Sequence, residues 1–312
     1  MRQTSCLKLM DEPLVFVTYA GSYLFSGLSM CLDQAKGRPF HLLIVPNWEV
    51  RTLLPVLDAF VRTAALLNSG ITPCILSPGD EENALLEVKG LRHVHAHHNA
   101  FIDETVFHPS TDERRVYDAI YIAAMQTWKR HDLAWNIPNI CVLTYGHGRG
   151  DDTSVMSGYS SLAYSNCLGG GDVEFLAASD VAAKINQSRV GLILSAREGG
   201  NFASGEYQFC GLPVITTPST GGRHYFLDSK TTIVVQPTAE SVEKAVVAAN
   251  GQTWDATAIH RRAVARAIPH RERLLTYLSQ ISGRDIRAEA NGNAWHPAFS
   301  DKLRCMIPIP GT

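Results

Sequence analysis

The chain has 312 residues, 45% of them hydrophobic and 19% charged, with a net charge of −2. That length holds two medium domains or one large α/β domain, and that composition is ordinary for a soluble globular protein. The near-neutral balance excludes a global basic field for nucleic acid or an acidic membrane, and no apolar run approaches a membrane span.

Seven cysteines, at 6, 31, 74, 141, 167, 210 and 305, contain no CxxC pair. They read as reduced, mostly buried thiols, so a cytoplasmic location is expected. Asp11-Glu12-Pro13 precedes the first apolar run and spoils a signal peptide. Any membrane contact would be peripheral.

Taken in order, LVFVTYA at 14–20 predicts a buried strand, and a helix is expected up to about Lys36. Phe40–Val45 predicts a second strand, ended by Pro46. From Trp48 to Leu67 the apolar positions Val50, Leu53, Leu54, Leu57, Phe60, Val61, Ala64 and Leu67 fall at helical spacing. Asn68-Ser-Gly70 stops that helix, and Cys74–Leu76 predicts a third strand. Asp80-Glu81-Glu82 suits the positive end of another helix. On a strand, His93, His95 and His97 would point one way, but no carboxylate or thiol sits beside them, so no metal is expected.

Further strands are predicted at Tyr117–Met125, Ile140–Tyr145, Val190–Leu194, Pro213–Ile215 and Ile233–Val235. Helices are predicted at 172–186, Glu240–Ala249 and Thr257–Leu278, the last with its arginines mostly on a polar face. Strands alternating with helices imply parallel sheets covered on both faces. The tail from Ser282 to Thr312 has little periodicity.

The stretch Glu198–Thr217 reads EGGNFASGEYQFCGLPVITT, with seven residues between Glu198 and Glu206. It lies between two predicted strands, as strand, glycine loop, helix, glycine, strand. That is the layout of a βαβ nucleotide site. Small residues at Gly199 and Gly200 let backbone N–H groups, through Asn201 and Phe202, face a diphosphate. Carboxylates only accept hydrogen bonds, so two of them suit a ligand rich in hydroxyls, such as a ribose and a hexose. The plainer alternative is a helix with two glutamates, eight residues apart, on one wet face.

Ser195, Glu198, Gly199, Glu206, Gly211, Pro213, Val214 and Ile215, then Gly221-Gly222, stand in a single register. This run resembles the Glu-x7-Glu signature of retaining glycosyltransferases of the GT-B fold, family 4 in particular. The resemblance implies an α/β chain with two Rossmann-like domains facing a cleft, the N-terminal one shortened to about four candidate strands. It places an acceptor-side domain at 1–108, a nucleotide-sugar domain at 109–281, and a tail at 282–312 that packs back on the first domain. Trp295 and Met306–Ile309 are the tail's candidate anchors. Asn99, Asp103, Phe107 and Pro109 are similar to the segment that hands over between the two domains. His97, His98 and Asn99 would then face the acceptor, with strand packing or a surface position as the other reading.

Lys129 matches the family lysine that neutralises the donor diphosphate, while Ala123 and Ala124 stand where glycine and arginine are usual. Arg130 would supply the missing cation, since charge builds on the leaving diphosphate. A solvated basic helix start is the alternative. Gly146 and His147, in the loop Gly146–Gly150, correspond to a glycine loop near the donor. The expected function is transfer of a sugar from a nucleotide-diphosphate sugar to an acceptor hydroxyl with retention, with neither metal nor cofactor. Glu198, Lys129 and Arg130 would be catalytic, and Glu206 would hold the ribose. The acceptor, whether saccharide, lipid-linked or a small molecule, is not legible. A nucleotide-sugar epimerase of this fold and a non-catalytic sugar-nucleotide-binding protein remain the alternatives.

Overall fold

The computed structural model describes residues 3–21, 24–67, 70–144, 153–159, 166, 173–290, 299 and 301–308. The chain begins with β1 (Gln3–Asp11), β2 (Leu14–Ala20), α1 (Leu24–Ala35), β3 (Phe40–Pro46), α2 (Val50–Leu67), β4 (Ile71–Ser77), α3 (Asp80–Val88) and β5 (His93–His95). It continues with β6 (Ala119–Ile122), β7 (Ile140–Leu143), α4 (Ala178–Asn186), β8 (Gly191–Ile193), α5 (Phe202–Phe209), β9 (Val214–Thr216), β10 (Thr232–Val234) and α6 (Ala239–Asn250). It closes with α7 (Ala256–Ser282), α8 (Ile286–Glu289) and β11 (Met306–Pro308).

These elements form two units, one of residues 1–103 with 265–312 and one of residues 104–264. The first boundary falls after 103, where the sequence reading puts it after 108, and the second falls within α7 and not after 281, because residues 265–282 of α7 go with the first unit. Hydrogen bonds hold them there: the Arg271 Nε–H donates to the Ala100 carbonyl at 2.7 Å. The His97 N–H donates to His270 Nδ1 at 3.2 Å.

Among its described residues the first unit has a six-stranded sheet in the order β11-β1-β2-β3-β4-β5. β2 to β5 are mutually parallel, β1 is added antiparallel to β2 at one edge, and β11 pairs antiparallel with β1 beyond it. β2 is buried at every position but Tyr19, as a parallel strand covered on both faces must be. The apolar stripe of α2 buries Val50, Leu57, Phe60 and Ala64 against Phe16, Phe40, Leu42 and Ile44. Phe16 and Phe40 meet edge to face at 5.3 Å.

The sequence concealed β1, because a register shift between Lys8 and Met10 breaks the alternation a strand would show. Met306–Pro308 pairs with β1, while Trp295 and Ile309 lie outside the described residues. β5 stops at His95, and His98–Phe101 is a 3-10 turn. His93, His95 and His97 therefore do not form the single strand face that their alternation predicted.

The second unit has a five-stranded parallel sheet among its described residues, in the order β10-β9-β8-β6-β7. Chain order reverses between β6 and β8, which is the switch point of a doubly wound sheet. β6 is shorter than predicted, and Tyr117 makes only an isolated bridge to Ser188. The helix expected over 172–186 begins at Ala178.

Gly191 lets α5 approach β8: a Cβ there would lie 2.2 Å from Cδ2 of the buried Tyr207 ring. That ring is pinned, because the Tyr207 hydroxyl accepts from the Ile122 N–H at 2.8 Å. Gly191→Ala is expected to cost about 1–3 kcal/mol through overpacking. A urea unfolding midpoint unchanged from the parent would refute this close approach.

Candidate functional site

The C-terminal ends of β6 and β8 bracket the switch point, and the segments leaving them hold Lys129 and Glu198. After β6 the chain makes a 3-10 turn, Thr127–Lys129, and delivers Lys129 to the interior. After β8 it runs through Ser195 to Glu198 and then to Asn201, the N-cap of α5. Backbone bonds stitch the two segments together: the Ala196 N–H donates to the Trp128 carbonyl at 2.9 Å.

Glu198 and Glu206 are 7% and 4% exposed, so the wet helix face is not where they lie. Glu206 stands in the second turn of α5, within the interior. Lys129 is 4% exposed and pairs with Glu198 Oε1, which removes the solvated helix start as its setting. Glu198 Oε2 accepts from the Ser195 hydroxyl and, at 2.8 Å, from Asn201 Nδ2. Asn201 also caps α5, its Oδ1 accepting from the Ser204 N–H at 3.2 Å. A carboxylate has about four acceptor positions, two on each oxygen. Two on Oε2 and one on Oε1 are taken, so Oε1 retains room for one further donor.

Burial by itself would raise the Glu198 carboxyl, but the Lys129 charge and the donors from Lys129, Ser195 and Asn201 outweigh it. The net effect holds that carboxyl below its ordinary range, so it is a carboxylate at neutral pH.

Arg130 adopts a left-handed backbone, with φ 54° and ψ 54°, an uncommon conformation for a residue with a side chain. Its guanidinium holds the ends of two strands: Nε donates to the Leu194 carbonyl at 2.6 Å and Nη2 to Thr217 Oγ1 at 2.5 Å. Burial lowers its pKa from the usual arginine value.

Arg223, directly after Gly221-Gly222, was not singled out from the sequence. It is 1% exposed and donates from Nη1 to the Ile193 carbonyl at 3.0 Å and to Ser195 Oγ at 3.1 Å. Nη2 donates to the Thr217 carbonyl. With Ser195 Oγ accepting from Arg223, the serine proton is directed at Glu198. Burial pushes Arg223 down to about 10, against the opposing charge of Glu198. No local spacing announces its reach to Ser195 and Ile193, which are 28 and 30 residues away.

Gly199 is buried, Gly200 and Phe202 are half-buried, and all three lie at the start of α5 beside Asn201. Gly146 and His147 lie outside the described residues. His97, His98 and Asn99 are buried in the first unit, where the Asn99 N–H donates to His97 Nδ1 at 3.1 Å. His95, His97 and His270 form a cluster there, with ring centroids 5.1 Å apart for His95–His270 and 6.3 Å for His97–His270.

No protein-family model matches the chain, and no curated protein sequence matches it. Its fold is similar to that of sucrose-phosphate synthase from Thermosynechococcus elongatus, at 15% identity and a TM-score of 0.56, covering 89% of this chain and 74% of that one. It is similar to Anabaena HepE in complex with UDP, at 11% identity and a TM-score of 0.57, covering 85% and 78%. It is also similar to α,α-trehalose 6-phosphate synthase from Burkholderia multivorans, at 12% identity and a TM-score of 0.51, covering 89% and 72%. At these identities the likeness shows the architecture: the chain is an α/β protein with the GT-B fold.

Proposed function

We propose that this GT-B chain is a retaining glycosyltransferase that takes a sugar from a nucleotide-diphosphate donor. The observation that carries the reading is the buried Glu198–Lys129 pair at the carboxyl ends of β6 and β8, where the sheet order reverses. Doubly wound sheets bind nucleotides at such a switch point. The solved structures of HepE with UDP and with UDP and glucose support a donor of this class.

In this reading Lys129 faces the donor diphosphate and Arg130 adds a second positive charge, so a protein-bound metal is not required for charge balance. The amides of Gly199 to Phe202 orient sugar and phosphate at the positive end of α5. Glu198 uses its remaining acceptor position for one sugar hydroxyl, and its charge stabilises positive charge developing at the anomeric carbon. Glu206 accepts from the ribose hydroxyls. The acceptor hydroxyl attacks the anomeric carbon from the face the diphosphate leaves, and the leaving phosphate takes its proton. Positioning and preorganised charge supply most of the rate.

The buried thiols Cys74, Cys141 and Cys210 suit a reducing compartment, and a cytoplasmic location belongs to the same reading. No helix of the described residues is long and apolar enough to cross a membrane.

A thermal-shift screen against a panel of nucleotide sugars tests the donor. A bound donor at 100 times its Kd should stabilise the protein by about 2.7 kcal/mol. Glu206→Ala should weaken that donor's binding by roughly 10- to 100-fold, as a lost hydrogen bond to a charged group implies. If no nucleotide sugar shifts the melting curve, the reading fails. Conversion of the donor without any acceptor would instead indicate an epimerase, and binding without turnover a non-catalytic protein.

A further inference from the structure

Cys6 in β1 and Cys31 in α1 place their sulfurs 3.3 Å apart in the core of the first unit. Gln34, one turn along α1, donates from Nε2 to Cys6 Sγ at 3.7 Å. A disulfide holds its sulfurs ~2.05 Å apart, so an approach of little more than ~1 Å would join the two. The hydrogen bond from Cys31 draws the Cys6 thiol below its ordinary range against the effect of burial. The same bond, with burial, pushes the Cys31 thiol up. Cys6 is therefore the better nucleophile of the pair.

The two thiols are 2% and 0% exposed, so a reagent needs an entry point. Cys305 is exposed, and its carbonyl accepts from the Cys6 N–H at 3.1 Å. The antiparallel register Ser5↔Met306, carried on by one residue, sets Cys305 opposite Cys6. Opposed residues on antiparallel strands have Cα atoms roughly 4.5–5.5 Å apart, a separation a disulfide spans.

We propose that Cys6 and Cys31 are an oxidisable pair, closed to a disulfide by a low-molecular-weight disulfide that enters at Cys305. The Cys305 thiolate attacks one sulfur of the reagent, breaks its S–S bond and releases one small thiolate. The Cys6 thiolate attacks Cys305 Sγ and expels the second. The Cys31 sulfur attacks Cys6 Sγ, passing its proton to the departing Cys305 thiolate. Two protein thiols are oxidised, and one reagent disulfide is reduced to two thiols. The product ties the edge strand β1 covalently to α1.

Oxidised glutathione and the full chain test this. Peptide mapping without reductant should show Cys6 linked to Cys31, two thiols lost and Cys305 again free. The melting temperature should rise by roughly 5 °C and return with dithiothreitol. Cys305→Ser should slow the oxidation about tenfold or more, and Cys31→Ser should stop at Cys305 bearing glutathione or linked to Cys6. A glutathione adduct on Cys305 alone in the parent chain, with Cys6 and Cys31 still alkylated after unfolding, would overturn the proposal without needing either variant. Equal rates in the parent and Cys305→Ser would overturn the entry route.

Discussion

Lys129→Met is expected to cost the second unit about 3–5 kcal/mol at pH 7, because it strands a buried carboxylate. In the parent, Glu198 is held below its unfolded value. Its contribution is therefore present above the unfolded carboxyl pKa and is lost as the pH falls through the folded one. Without Lys129 the dominant remaining influence is burial, which raises the carboxyl. The variant should thus be weakest at neutral and alkaline pH and regain stability as the medium approaches the raised pKa. Lys129→Met with Glu198→Gln should recover much of the loss, since a neutral amide carries a smaller desolvation penalty. Urea unfolding at pH 5, 7 and 8 reads all of this. A single variant as stable as the parent at every pH would show that the pair is solvated. On the proposed chemistry, the same variant should lose ~100-fold or more of its transfer rate, through the diphosphate contact.

The second large effect is acid lability in the first unit. Burial is the leading cause that lowers His95, His97 and His270, and it takes His270 down to about 4. The surrounding charges mostly act in the same direction. His98 lowers His97, Arg273 and Arg266 lower His270, and Arg273 lowers His95. Asp80, 3.4 Å from His95 Nδ1, opposes for His95 alone. Two of the rings must also stay neutral at Nδ1, where each accepts a backbone N–H.

Each such folded pKa lies below the unfolded value, so the unfolded chain binds more protons in between. Stability therefore falls as the pH drops from about 6.5 toward 4. For His270 alone the span corresponds to about 3 kcal/mol. His270→Asn keeps an acceptor near the His97 N–H and removes the titration, so its stability should vary less between pH 7 and pH 4.5. Parallel pH profiles for the two proteins would exclude His270 as a source.

Much of the architecture was legible because its signals are local. The helical spacing from Val50 to Ala64, the continuous apolar run of β2 and the acidic start of α3 each declare their element within one stretch of chain. Glu198 stood out for the same reason, lying between glycines and strands in a recognisable register. β1 did not, since a bulge conceals its alternation, and β6 was over-extended because apolar residues continue beyond the paired segment.

By itself the sequence determined the α/β class, the positions of most elements and the two residues, Glu198 and Lys129, on which the proposed chemistry turns. Tertiary structure decided that Lys129 is buried against Glu198, although 69 residues separate them. It also decided that Arg223 reaches Ser195 from a separate loop, that residues 265–282 belong with the first unit, and that Cys6 meets Cys31. Periodicity and turn chemistry are properties of neighbouring residues. Burial of a charge, and the partner that makes it tolerable, depend on which distant segments the sheet order brings side by side.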